Sequence, residues 1–142
     1  MRRMFSGASL FNQNIDPWNT RDVTTMEEMF EDAIAFNAPL NNWRVEGVVN
    51  MDSMFQNAIA FNQFLNEWDL GQVSMNSMFN GATAYDQVLG EWDMSQVTNL
   101  SNMLNNSGMS RDSYDTTLIA WSQQQLPSGL TLGALNLSLI HI

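Results

Sequence analysis

Residues 48–62 read Val-Val-Asn-Met-Asp-Ser-Met-Phe-Gln-Asn-Ala-Ile-Ala-Phe-Asn, and the same markers recur along most of the chain. The Met-Phe pair, the Phe-Asn pair and a later Trp each return with a nearly constant period of about 25 residues, which indicates a repeat protein. The Met-Phe pairs are Met4-Phe5, Met29-Phe30, Met54-Phe55 and Met78-Phe79, with Met103-Leu104 as a degenerate fifth, and the tryptophans are Trp18, Trp43, Trp68 and Trp92.

Each unit is predicted to contain a short helix and a short strand. In the second unit, apolar residues at 26, 29, 30 and 33 have the i, i+3, i+4, i+7 spacing of one helical face. The preceding residues are good helix N-caps: Thr25, Asn50, Ser74 and Asn99. Further along, Leu40, Trp43 and Val45 have the L-x-x-L-x-L spacing of a leucine-rich repeat.

These units predict an α/β repeat solenoid of right-handed, leucine-rich-repeat-like coils with a narrow parallel sheet. Elements this short are not stable singly, so stacking must bury the Met, Phe and Trp rows in one core. A core position for the Trp row is favoured over a sugar-stacking platform. The residues after the aromatic markers are predicted to satisfy turn backbone groups as a ladder: Asn12, Asn37, Asn62 and Asp86.

The repeats are expected to occupy residues 1–109, as four to five units, followed by a cap at 110–136. Tyr114, Leu118 and Trp121 predict a helix over 110–125, with Ile119 widening its apolar stripe. Residues 137–142 match a translation of the transposon mosaic-end adapter used in sequencing libraries, so they are expected to be non-native. We therefore expect the sequence to be part of a longer gene.

The composition argues against several functional classes. The net charge is -10, with five Arg, no Lys and 15 acidic residues, so nucleic acid is not an expected partner. There is no Cys, which removes disulfide and thiolate chemistry. No apolar run approaches the length that a membrane-spanning helix needs, so no membrane insertion is expected from this sequence.

Catalysis is not expected, because the only His is His141, within the adapter-like segment. Acid–base chemistry would rest on Glu67 with Asp69 and Glu91 with Asp93, which the repeat places on a flat sheet face. These four residues and Arg44 are instead candidate ligand-binding residues. Calcium could bridge the acidic pairs, although solvated carboxylates are the favoured interpretation. No metal or cofactor is predicted.

The run 48–62, with the preceding Leu-Asn-Asn-Trp segment, resembles the repeat of BspA-like leucine-rich-repeat surface proteins. Residues 113–121 and 129–134 resemble the end of such arrays. The resemblance implies a solenoid on secreted or surface-anchored proteins, mostly bacterial, whose better-studied members are adhesins. It carries over no binding residue, and an extracellular, cell-surface location is implied by the resemblance alone.

Three hypotheses of function follow. The first is a monomeric, non-catalytic recognition or adhesion module that binds a protein or cell-surface ligand. The second is a passive structural spacer in a surface protein. The third is an acidic decoy for a basic protein, which predicts strongly salt-sensitive binding.

Overall fold

The fold was analysed in a computed structural model that describes residues 1–137. Within these residues there is one helix, α1, at Arg111–Ser122, and no extended strand. Parallel pairing is confined to four isolated bridges, Thr25–Asn50, Asn50–Ser74, Ser74–Asn99 and Leu100–Leu132. The predicted α/β solenoid, with a helix and a strand of a parallel sheet in each coil, is therefore wrong. The described chain is instead a stack of repeats built from consecutive turns.

The segment predicted to be helical is a series of turns with left-handed residues. The Met29 N–H donates to the Met26 carbonyl at 3.2 Å, and the Ala33 N–H donates to the Phe30 carbonyl at 3.0 Å. The third residue of each turn has positive φ, 54° at Glu28 and 57° at Asp32. A positive φ at that place is characteristic of a type II turn and is incompatible with an α-helix.

The remaining backbone groups of this segment bond to the next repeat. The N–H groups of Glu28, Phe30 and Asp32 donate to the equivalent stretch of the following repeat, at 2.8–2.9 Å. Alternate N–H groups thus point along the stack, while those between them close turns within the repeat. This arrangement of turns, hydrogen-bonded from repeat to repeat, is called the turn ladder below. The i, i+3, i+4, i+7 apolar spacing suits this arrangement as well as a helix. The bonds between repeats use every second N–H group that a helix would need for its own hydrogen bonds.

The predicted strand positions also form turns. The Trp43 N–H donates to the Leu40 carbonyl at 3.1 Å, which bends the chain where L-x-x-L-x-L predicted extension. Three of the four bridges fall instead on the residues predicted to be N-caps. The Asn50 side chain accepts the Asp52 N–H at 2.7 Å, so it satisfies a backbone donor two residues on, in a turn rather than at a helix end.

The core consists of rows of equivalent side chains, identical or similar, with one from each repeat. Phe30, Phe55 and Phe79 stack with ring centroids 5.5 Å apart. Trp43, Trp68 and Trp92 are buried, and each indole N–H donates to a carbonyl of the preceding repeat at 2.8–3.0 Å. The core position predicted for the Trp row is confirmed for these three. Trp18, in the first repeat, is 42% exposed.

The predicted ladder of polar side chains is also confirmed. Asn12 accepts the Asn37 N–H at 2.8 Å, Asn37 accepts the Asn62 N–H at 2.9 Å, and Asn62 accepts the Asp86 N–H at 2.9 Å. Asp86 then accepts the Ser110 N–H at 2.8 Å. Burial opposes ionisation of Asp86, but the hydrogen bonds from Ser110 and Ser113 outweigh it, and the pKa of this carboxyl is lowered.

Helix α1 lies within the segment for which the sequence predicts a helix, and Ser110 caps it by accepting the Ser113 N–H. The buried residues of the helix are Thr117 and Trp121. Trp121 extends the Trp row, since its indole N–H donates to the Leu89 carbonyl at 2.9 Å. Ile119, predicted to widen the apolar stripe, is 60% exposed, so that assignment was wrong.

After the helix, the chain returns to the stack and forms part of one further repeat, which continues the turn ladder. The Leu104 N–H donates to the Gly133 carbonyl at 2.8 Å, and the Asn106 N–H donates to the Leu135 carbonyl at 2.7 Å. A Cβ at Gly133 would overlap the backbone of Asn102, so this approach requires glycine. Of the adapter-like segment 137–142, Leu137 is buried, and 138–142 lie outside the described residues.

Candidate functional site

The candidate recognition face comprises Glu67, Asp69, Glu91, Asp93 and Arg44. All five side chains are exposed, although the sheet expected to carry them is not present in residues 1–137. The acidic residues flank Trp68 and Trp92, which are buried and whose indoles stack at 6.4 Å. Each Trp therefore fixes the backbone between two outward carboxylates.

Local hydrogen bonds orient parts of this face. The Ser95 N–H donates to Asp93 Oδ1 at 2.9 Å, and this bond lowers the pKa of the Asp93 carboxyl. The Glu67 N–H donates to Asn41 Oδ1 at 3.1 Å, which ties its backbone to the preceding repeat. Arg44 Nη1 lies 3.9 Å from Glu46 Oε1, an exposed and weak ion pair.

The carboxylates do not assemble a metal centre. Within residues 1–137, no group of three or more His, Cys, Asp or Glu side chains could hold a metal ion. The two acidic pairs, at 67/69 and 91/93, are accordingly not part of such a group. What they offer is a negative surface with hydrogen-bond acceptors.

The outward positions change in charge between repeats, whereas the Met, Phe and Trp rows of the core keep large apolar side chains. The residue before each Trp is Pro17, Asn42, Glu67 or Glu91 in successive repeats, and the residue after it is Asn19, Arg44, Asp69 or Asp93. The face therefore changes from neutral and basic to acidic along the stack. Packing cannot require this variation, because these side chains point to solvent.

A second charged cluster, which was not predicted from the sequence, lies on the turn ladder. Arg2 Nε lies 2.7 Å from Glu27 Oε2, and Arg3 Nε lies 2.6 Å from Glu28 Oε2, in ion pairs between repeats. Burial, followed by the charges of Glu28 and Asp32, raises the pKa of Glu31. The available signal was opposite charge at positions one repeat apart, which predicts neighbours once the repeats are stacked in register.

None of the described residues belongs to a helix long and apolar enough to cross a membrane. A family model described as "Mycoplasma protein of unknown function, DUF285" matches residues 1–75 and 66–126. The two matches together span residues 1–126 of the 142-residue chain, so they cover the repeats and helix α1. No curated protein and no solved structure matches the chain.

Proposed function

We propose that this chain, which belongs to the DUF285 family, is a non-catalytic recognition module that binds a protein or cell-surface ligand through the candidate recognition face. The observation that carries the proposal is the contrast between core rows that stay apolar and an outward face whose charge changes from repeat to repeat. A repeat that served only to stack would need no particular residue beside each Trp. Differing charges at equivalent positions instead give a surface that can discriminate between partners.

The resemblance to BspA-like proteins supports an adhesive role at a bacterial cell surface. The repeat markers that carry it, Met-Phe, Phe-Asn and Trp, are the residues that form the core rows and the polar ladder of the stack. We propose an extracellular location and a monomeric state on the same resemblance. The net charge of -10 favours a partner surface with basic groups.

A binding assay with a matrix protein tests the proposal. Immobilised fibronectin is the probe, and the full chain is the analyte in surface plasmon resonance. We expect saturable binding, weakened about tenfold or more when Glu67→Lys and Glu91→Lys reverse the acidic end of the face. The control combines Asp22→Lys with Asp115→Lys, which makes the same change in net charge outside the face and should leave the affinity nearly unchanged.

A passive spacer remains the alternative function, and the hydrogen bonds between repeats favour it. Each repeat is tied to the next by a row of backbone bonds, such as Phe30 to Met54 and Phe55 to Met78 at 2.8–2.9 Å. Such a stack can hold a neighbouring domain at a fixed distance. Two results together would favour the spacer function over the recognition function. The full chain would show no saturable binding to fibronectin or to whole cells, and exchange of segments 42–46 and 67–71 would preserve the function of the protein.

A further inference from the structure

An apolar cavity of about 340 Å³ lies between helix α1, the segment that follows it and the fifth repeat. Its lining is almost entirely aliphatic or aromatic: Leu100, Leu118, Trp121, Leu126, Leu130 and Leu132. Its volume lies within the range in which small-molecule sites are found.

The cavity is framed by polar contacts that hold the helix in place. Thr117 Oγ1 accepts the Leu89 N–H at 3.0 Å, and the Trp121 indole N–H donates to the Leu89 carbonyl at 2.9 Å. Beyond the helix, Gln124 accepts the Met94 N–H and donates to the Trp92 carbonyl, both at 2.8 Å. The returning chain is held by the Leu132–Leu100 bridge. Hydrogen bonds thus hold both helix α1 and the returning chain, which form the walls of the cavity, against the repeats.

A polar groove of about 500 Å³ adjoins the cavity, and Pro127 and Leu130 line both. The polar residues of the groove are Gln72, Ser95, Gln96, Thr98 and Ser128. Their amides and hydroxyls can both donate and accept hydrogen bonds. Among the described residues that line the cavity and the groove, none is ionisable.

We infer that the cavity and groove together bind a neutral amphiphile, with a single aliphatic chain in the cavity and an uncharged, hydroxyl- or amide-bearing head in the groove. The apolar lining favours a hydrocarbon chain, because each buried methylene contributes favourably to transfer from water. An anionic head would meet no cation among the described residues of the groove, and the net charge of -10 would repel it. An ammonium head would meet no carboxylate among the same lining residues. This site is separate from the candidate recognition face, and the inference does not depend on the proposed recognition function.

Monooctanoylglycerol, octanoate and octylamine share a similar chain length and differ in head charge, so they test the assignment. The full chain is titrated with each by calorimetry below micelle formation. We expect saturable binding of about one monooctanoylglycerol per chain, with octanoate and octylamine weaker by about tenfold or more. Absence of saturable monooctanoylglycerol binding, or equal binding of all three, overturns the inference.

Two variants locate the binding. Leu130→Trp fills the shared wall, and Ser128→Trp obstructs the groove from an exposed position where folding is not at risk. Each should weaken monooctanoylglycerol binding about tenfold. Leu135→Trp is the matched control, because Leu135 is exposed and lines neither the cavity nor the groove. Binding that survives Ser128→Trp unchanged, or that Leu135→Trp reduces equally, places the amphiphile elsewhere and overturns the assignment.

Discussion

The hydroxyl of Tyr85 is buried in the aromatic core and has no hydrogen-bond partner among residues 1–137. Its ring stacks on Phe61 and Phe79 at 5.9 and 4.0 Å, and the equivalent residues of earlier repeats are Phe. Tyr85→Phe keeps the stacking and removes an unsatisfied polar group. We expect the free energy of unfolding to rise by about 1 kcal/mol, measured by urea denaturation.

Tyr114→Phe is the control for this substitution, because Tyr114 lies on the partly exposed side of helix α1. Loss of its hydroxyl should change the free energy of unfolding by no more than about 0.5 kcal/mol. A destabilised Tyr85→Phe variant would mean that the buried hydroxyl has a hydrogen-bond partner in solution.

Glu31 gives a second prediction at the scale of a residue, through its raised pKa. Burial and the neighbouring charges of Glu28 and Asp32 raise the folded-state pKa above the ordinary value of 4.5. The native state therefore binds its proton more tightly than the unfolded state, and stability falls as pH rises through the window above 4.5. Glu31→Gln should accordingly raise the melting temperature at pH 7, and the gain should disappear below about pH 4.

Asp93 supplies a control of opposite sign for the pH experiment. The Ser95 N–H lowers the pKa of Asp93 below its ordinary value of 3.8, so its contribution to stability is present above that pH and is lost as pH falls. Asp93→Asn should therefore lower the melting temperature at pH 7. Parallel shifts for Glu31→Gln and Asp93→Asn at pH 7 would contradict the assigned directions.

At the scale of an element, Ser53 distinguishes a turn ladder from a helix. Its φ is 56°, a left-handed conformation that strains residues with a Cβ. Ser53→Gly and Ser53→Ala both remove the hydroxyl that donates to Gln56 at 3.2 Å, so their difference reports the backbone. We expect the Gly variant to be the more stable by about 1 kcal/mol. In a helix, the order would be reversed, with Ala favoured by about 1 kcal/mol.

The structure of a single repeat shows how much of the fold could be predicted from the sequence. The period and the burial of Phe30 and Trp43 followed from recurrence, because equivalent side chains in the interior of a stack share one environment. Trp18, in the first repeat, is exposed. The turn conformation did not follow, because the apolar spacing of Met26 to Ala33 fits a helix equally well. Gly81 and Asn57, one turn later in their repeats, suit a left-handed residue, but Glu28 and Ser53 obscure that pattern.

Some features of the candidate site could likewise be predicted from the sequence, and others could not. The exposure of Glu67 and Glu91 could be predicted, because each adjoins a Trp of the core row. Opposite charges one repeat apart could have predicted that Arg3 and Glu28 are neighbours, but the left-handed turn that holds Glu28 could not be predicted from the apolar spacing. The cavity beside Leu118 and Leu130 could not be predicted from the sequence, because its shape depends on how the segment after helix α1 folds back.

At the scale of the whole molecule, hydrogen bonds between consecutive repeats make stability propagate along the stack. The last full Trp repeat relies on helix α1, because Thr117 Oγ1 accepts the Leu89 N–H at 3.0 Å. Thr117→Val removes this acceptor, keeps the side-chain shape and leaves a buried donor unsatisfied. We expect a loss of about 1–3 kcal/mol in the free energy of unfolding.

Thr116→Val is the matched control, because Thr116 is exposed on the same helix and carries the same change in side chain. Hydrogen exchange adds a spatial readout, since repeats that contact only their neighbours can open locally from one end. In Thr117→Val, the amides of Leu89 and Met94 should exchange faster, whereas the Phe30 amide, bonded to Met54 at 2.8 Å, should remain protected. Equal acceleration at Phe30 and Leu89 would mean that the stack unfolds as one cooperative unit, with no local opening at the helix-capped end.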